Sequence, residues 1–145
     1  VMIDAKNPLY SVNGVFNAIF IHGNVLGDAM FYGSGAGKLP TASAVVADVV
    51  DCAKNKGRNI MMSWSEEKLN LLQIDDVKSR FFVRVSGHAA ERQAEIEKLF
   101  GAVEIVAVPS LSEEFAFITG EITEQEYREK AEQLDGIQSR IRARI

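Results

Sequence analysis

Phe81-Phe-Val-Arg-Val-Ser-Gly-His-Ala-Ala-Glu-Arg-Gln-Ala-Glu-Ile-Glu-Lys-Leu-Phe-Gly101 decides the fold of the second half of this chain. Phe81, Val83 and Val85 alternate with Phe82, Arg84 and Ser86, the period of a strand with one face buried. From Ala89 the period lengthens. Ala90, Ala94, Ile96, Leu99 and Phe100 fall near helical spacing, and Gly101 stops the helix by accepting the left-handed conformation. Downstream, Val103-Glu-Ile-Val-Ala-Val108 predicts a second strand, stopped by Pro109, and Phe115-Ala-Phe-Ile-Thr119 a third. Thr123 and Glu126 are spaced as a capping box, with Ile122 and Tyr127 placed for a hydrophobic staple. Tyr127, Ala131 and Leu134 give that helix its apolar face, and Gly136 stops it. The chain closes on strict alternation: Ile137, Ser139, Ile141, Ala143 and Ile145 against Gln138, Arg140, Arg142 and Arg144. The arginines are expected on a solvated face that discourages sheet-to-sheet sticking. The order from residue 79 onward is β-α-β-β-α-β, the ferredoxin-like arrangement of two helices over one face of an antiparallel sheet.

The first half reads differently. It is poor in charge and rich in Gly, Ala, Val and Phe. Gly14 to Ile21 predicts a strand, Gly23-Asn24 a turn, and Ala29 to Tyr32 a second strand antiparallel to the first. Gly33-Ser-Gly-Ala-Gly37 follows, then a helix over 40–53. Pro40 suits the first helical position, where its missing N–H costs nothing. A polar stretch opens at Lys54. The expected organisation is therefore a first segment over 1–54, a linker over 55–78 and a small domain over 79–145.

Composition excludes several classes. Of 145 residues, 47% are hydrophobic and 25% charged, the balance of a globular chain. The net charge of -4 disfavours a phosphate backbone as partner, so no nucleic acid is expected. No apolar run approaches the ~18 residues of a membrane span, and no membrane partner is expected. Cys52, the one cysteine, has no disulfide partner within the chain, which fits a cytoplasmic location. The chain opens at Val1 without a leader-like pattern or an initiator methionine and reads as cut from something longer. His22 and His88 stand in different regions and make no metal site. Asp75-Asp76 and Glu113-Glu114 read as solvated pairs. Ser34 and Ser43 have no histidine nearby in sequence, and no catalytic residue is assigned.

The glycine loop admits two readings. It is no Walker loop, because Leu39 follows Lys38, and no G-x-G-x-x-G, because Lys38 takes the third glycine position. It is either a tight turn that needs glycine or a place where backbone and helix-start amides approach an anionic ligand. Spacing alone favours the turn.

Three stretches tip this balance: Val12-Asn-Gly-Val-Phe-Asn-Ala-Ile-Phe20, Met30-Phe-Tyr-Gly-Ser-Gly-Ala-Gly37 and Leu39-Pro-Thr-Ala-Ser-Ala-Val-Val-Ala-Asp48. Together they resemble the end of the catalytic domain of homoserine dehydrogenase. The remainder is similar to the ACT domain that many members of that family carry. The fold class implied is α+β: a partial catalytic-domain sheet and helix, then a ferredoxin-like βαββαβ ACT domain. The resemblance implies an oxidoreductase that uses NADP or NAD to interconvert aspartate semialdehyde and homoserine, on the route to threonine and methionine. It places Gly35, Ala36 and Gly37 at the cofactor. The Rossmann domain and the proton-moving lysine of the family are not among these residues, so this segment by itself is expected to be inactive. The ACT part is expected to regulate and to self-associate, and the resemblance makes threonine a candidate effector. The loop Ser86-Gly-His-Ala-Ala90, however, lacks the Pro-Gly usual in such effector loops. The alternative is a stand-alone ferredoxin-like module for small-molecule binding or dimerisation.

Overall fold

The computed structural model describes residues 1–58 and 61–145; Asn59 and Ile60, inside the expected linker, lie outside the described residues. The chain divides into two compact units. One comprises Val1–Asp4 with Asn70–Ile145, the other Ala5–Leu69.

The larger unit is the ferredoxin-like one. Its elements are β4 (Lys78–Ser86), α2 (Ala89–Phe100), β5 (Glu104–Val106), β6 (Glu114–Ile118), α3 (Glu124–Ala131) and β8 (Ile137–Arg144), with a two-residue β7 (Ile122–Thr123) leading into α3. The sheet runs β8-β4-β6-β5, all neighbours antiparallel. One further strand lies outside β8: β1 (Met2–Ile3) pairs parallel with Ala143 and Arg144.

One face of this sheet carries the core. Phe81, Val83, Val85, Phe115 and Phe117 pack with Ile96 and Phe100 of α2 and Tyr127 of α3. Phe81 stacks on Tyr127 at 4.4 Å between ring centroids, and Phe100 meets Phe117 at 5.2 Å. Fully burying side chains of this size contributes roughly 1.5–3 kcal/mol each. The capping box forms as the spacing predicts: Glu126 N donates to Thr123 Oγ1 at 3.1 Å and Thr123 N to the Glu126 carboxylate at 2.8 Å. The Thr123 backbone N–H, and secondly its side chain, hold the Glu126 carboxyl below the ordinary value. The helix stops at Ala131, earlier than the apolar spacing suggests. Leu134 reaches the core from the turn that follows.

The last strand departs from its expected face. A register shift between Arg84 and Val85 pairs Arg84 with Ser139 but Val85 with Ile137. The slip keeps Ile137 on the helix side, and beyond it the strand presents the opposite parity: Val83 faces Arg140 and Phe81 faces Arg142. A one-residue slip moves every side chain to the other face. Arg140 and Arg142 therefore lie on the covered side, and Ile141 is left 47% exposed on the open one. The arginines at 140 and 142 are packing and pairing residues, not the solvated stripe their alternation suggests.

The smaller unit is a hairpin and a helix. β2 (Phe16–Gly23) pairs antiparallel with β3 (Gly27–Ser34), from Phe16 opposite Ser34 to Gly23 opposite Gly27. Asn24, Val25 and Leu26 make the connection, and Gly27 supplies the positive φ that closes it. α1 (Lys38–Lys54) begins two residues before its predicted start, so Pro40 stands third in the helix rather than first. The position is still harmless, because the first four amides of a helix have no partner within it. No residue of α1 is buried, and Val45, Val46, Val49 and Val50 are exposed. Among the described residues, none of this unit belongs to the buried core.

Candidate functional site

The glycine loop joins β3 to the start of α1. The hairpin register sets its geometry by placing Asn17 opposite Gly33 and Phe16 opposite Ser34. Phe16 and Tyr32 stack at 5.0 Å with nearly parallel rings, which stiffens the strand end that launches the loop. Gly35 N donates to the Val15 carbonyl at 3.2 Å, folding the loop back on the hairpin. A side chain at Gly35 would overlap the Asn17 amide. At Gly33 one would meet nothing. Gly37 adopts φ 120° and ψ 156°, a conformation that side chains rarely tolerate.

Gly37 is also the N-cap of α1, and no side chain caps the helix there. The first bond, Thr41 N to the Gly37 carbonyl, is 3.2 Å. The amides of Lys38 and Leu39 are thus left without a capping side chain at the head of a 17-residue helix, and Pro40 brings none. Helix starts of this kind carry partial positive charge and attract anions. Gly35, Ala36 and Gly37 are exposed together with Ser34 and Lys38. The three residues named from the sequence therefore share one exposed turn. What sequence reasoning missed is Asn17, the strand residue whose amide packs against Gly35.

The two carboxylate pairs divide. Asp75 accepts from Arg128 at 2.6 Å and Glu114 from Arg84 at 2.6 Å, so one member of each is an ion-pair partner rather than simply solvated. The Asp75 hydrogen bond raises the Arg128 guanidinium above its usual value. His22 Nδ1 lies 2.5 Å from Asp28 Oδ1 across the hairpin, and His88 is the N-cap of α2. Among the described residues, no group of three or more His, Cys, Asp or Glu could hold a metal. No helix of the described residues is long and apolar enough to cross a membrane.

In the ferredoxin-like unit, the loop after β4 is closed by its own residues. Arg92 Nη1 donates to the Ser86 carbonyl at 3.0 Å, and Ser86 N and Oγ both donate to the Gly136 carbonyl. A side chain at Gly136 would collide with Ser86 Oγ. Gly87 N donates to the Glu113 carbonyl at 2.8 Å. The Ser86 N–H and carbonyl and the Gly87 N–H are thereby engaged from within.

The most buried charge lies elsewhere. Glu124, only 4% exposed, opens α3 and is held by Arg140 and by Arg142, whose Nε lies 2.8 Å away. Burial pushes the Glu124 carboxyl up, and the hydrogen bonds from Arg142 and Arg140 more than reverse this, so it titrates below the ordinary value. Arg140 also lies over the Tyr127 ring at 4.8 Å and the Phe81 ring at 5.5 Å. Burial raises the Tyr127 phenol against the opposing field of Arg140.

Comparison with known proteins gives a consistent result. The homoserine dehydrogenase family profile matches residues 1–50. A homoserine dehydrogenase from Corynebacterium glutamicum is 54% identical over 38% of this chain, which is 12% of that protein. One from Synechocystis is 30% identical over 95% of this chain and 36% of its own length. The chain thus spans about a third, or less, of the curated relatives it matches. A crystal structure of a homoserine dehydrogenase from Thiobacillus denitrificans superposes with a TM-score of 0.71 at 25% identity, over 98% of this chain and 37% of that one. A Staphylococcus aureus homoserine dehydrogenase at 24% identity shares the fold, with a TM-score of 0.71 over 98% of this chain and 36% of that one.

Proposed function

We propose, from the premise that this chain is a segment of the homoserine dehydrogenase family, that it supplies one wall of a nicotinamide dinucleotide site and a regulatory module to that enzyme. The observation that carries the first part is the exposed Gly33–Gly37 turn, running into a helix start whose amides lack a side-chain cap. The residues fit a dinucleotide: no side chain stands over Gly33, and the amides of Lys38 and Leu39 suit a pyrophosphate. When bound, NADP or NAD supplies the hydride acceptor for the alcohol carbon of homoserine. Gly35, Ala36 and Gly37 let the backbone approach it and keep bulk out of the way. In the enzyme that contains this segment, Gly37→Val raises the Michaelis constant for dinucleotide far more than Lys38→Ala does. Equal effects in the two variants would refute the assignment of Gly37.

The second part rests on the βαββαβ order, which supports reading residues 79–145 as an ACT domain. Its outer strand β5 has no further strand beside it among the described residues, whereas β8 is covered by β1 at its C-terminal end. Exposed strand edges template pairing. One open edge closes into pairs of chains instead of growing into fibres. Val106, Val108 and Leu111 give that edge an apolar surface. The loop after β4, engaged by Arg92 and Gly136, supports self-association without a tight threonine site. The setting of such an enzyme is the cytoplasm.

A further inference from the structure

The open face of the ferredoxin-like sheet, opposite the helices, carries a dent with a cause in the sequence. The pairing sets Arg84, Ala116 and Val106 side by side across β4, β6 and β5. Ala116 is the shortest of that row, and Phe82 and Glu114 stand in the rows on either side. A small side chain among larger ones leaves a gap. Val108 and Leu111, from the connection between β5 and β6, complete its wall, and Leu111 N donates to the Val108 carbonyl at 2.9 Å to turn that connection back. The result is a cavity of about 80 Å³ with mainly apolar walls. It has room for about three methyl-sized groups, each close to the volume of a water. Its polar rim is one ion pair. Arg84 Nη2 donates to both Glu114 oxygens, at 2.9 and 2.6 Å. That pair occupies a single guanidinium nitrogen, so the Arg84 fork keeps further N–H donors for a second carboxylate. The Glu114 oxygens keep lone pairs for an ammonium.

We propose that this cavity binds a free α-amino acid with a short branched apolar side chain, its tail against Ala116 and its carboxylate and ammonium on Arg84 and Glu114. The proposal goes beyond the function above, since it holds whether or not the unit regulates an enzyme. Charge selects the ligand class. Arg84 and Glu114 cancel, so a simple anion or cation gains at one and is repelled by the other, whereas a zwitterion gains at both. The neighbouring pair, Arg80 with Glu104 at 3.7 Å, is also neutral and leaves that balance unchanged. Volume selects the tail. A branched aliphatic group fills the space, and a hydroxyl in its place would be set against Val106 and Leu111 without a partner. Edge pairing through β5 uses the backbone of that strand, while the cavity uses side chains on its open face, so the two can coexist.

Titration calorimetry of the full chain with L-valine and L-leucine tests this. We expect saturable binding with a dissociation constant on the order of 1 mM or tighter. L-Threonine, which matches valine in shape but carries the hydroxyl, should bind at least about tenfold more weakly. So should isovalerate and isobutylamine, each of which lacks one charge of the zwitterion. Ala116→Leu fills the cavity and should abolish binding. If that variant fails to fold, Arg84→Gln decides, because the side chain is 46% exposed and its loss leaves the apolar walls in place. Valine should then weaken at least about tenfold, while isobutylamine, held by Glu114, should not weaken. No binding of valine or leucine at about 10 mM overturns the proposal. So does threonine or a singly charged analogue binding as tightly as valine, or valine binding that is unchanged in a folded variant.

Discussion

Replacing Glu124 by glutamine keeps the shape of the side chain and removes its charge. The carboxylate is 4% exposed, while Arg140 and Arg142 are 41% and 37% exposed. Removing one partner of a fully buried ion pair costs about 3–5 kcal/mol. Here both guanidiniums can turn toward water, and the glutamine oxygen still accepts one hydrogen bond. The expected loss is therefore about 2–3 kcal/mol at neutral pH, at or just below the bottom of that range. For a unit of this size, each kcal/mol shifts the midpoint by roughly 4–8 °C, so the variant should melt about 10–20 °C lower. Thermal unfolding by near-ultraviolet circular dichroism, which reads the packing of Phe81 and Tyr127, is the assay. The pH dependence gives a second test. The Glu124 carboxyl titrates below its ordinary value when folded. Its contribution is then fully present above the ordinary carboxylate value and is lost as pH falls through the depressed one. The gap between parent and Glu124→Gln should narrow below about pH 4. Glu126 is also depressed, but it is common to both proteins and cancels in the difference. A variant that melts within about 2 °C of its parent at neutral pH, or a gap that persists in acid, would refute the reasoning.

The remaining expectations concern the loop, the edge and the chemistry. Gly35→Ala should unsettle the hairpin by driving a methyl group into Asn17, and Asn17→Ala should relieve most of that loss; chemical denaturation of the double variant checks it, and additive losses would show that the two do not touch. Val106→Lys, at the open edge strand, should shift sedimentation of the full chain from dimer toward monomer, while Gln93→Lys on the exposed side of α2 should not; a parent that stays monomeric at high concentration removes the edge argument. Calorimetry with threonine should give no tight binding, and a strong signal would contradict the reading of Arg92 and Gly136 as closing the Ser86 loop. The chain alone should oxidise no homoserine with NAD or NADP, and turnover above a blank without protein would overturn that.

Local chemistry alone determined most of the elements. Period-two runs at Phe81–Ser86 and Phe115–Thr119, the Gly101 stop and the Thr123–Glu126 box are written in residues that touch near neighbours in the chain. So is the strand-glycine-helix order around residues 33–37, whose wording also carried the family resemblance. Only the tertiary structure decided which way the last strand faces. Alternation marks a strand but leaves its two faces equivalent until a register is chosen, and the slip at Arg84/Val85 chose against the expected one. It placed Arg140 and Arg142 against Glu124, a pairing between residues 16 and 18 positions apart that no local pattern announces. The same holds for Met2 and Ile3 beside Ala143 and Arg144, brought together from opposite ends of the sequence. It holds too for Asn17 beneath Gly35, where the hairpin register, not the glycine motif, explains why a side chain is excluded. Contacts of this kind depend on which surfaces meet, and a sequence read one window at a time records only the surfaces.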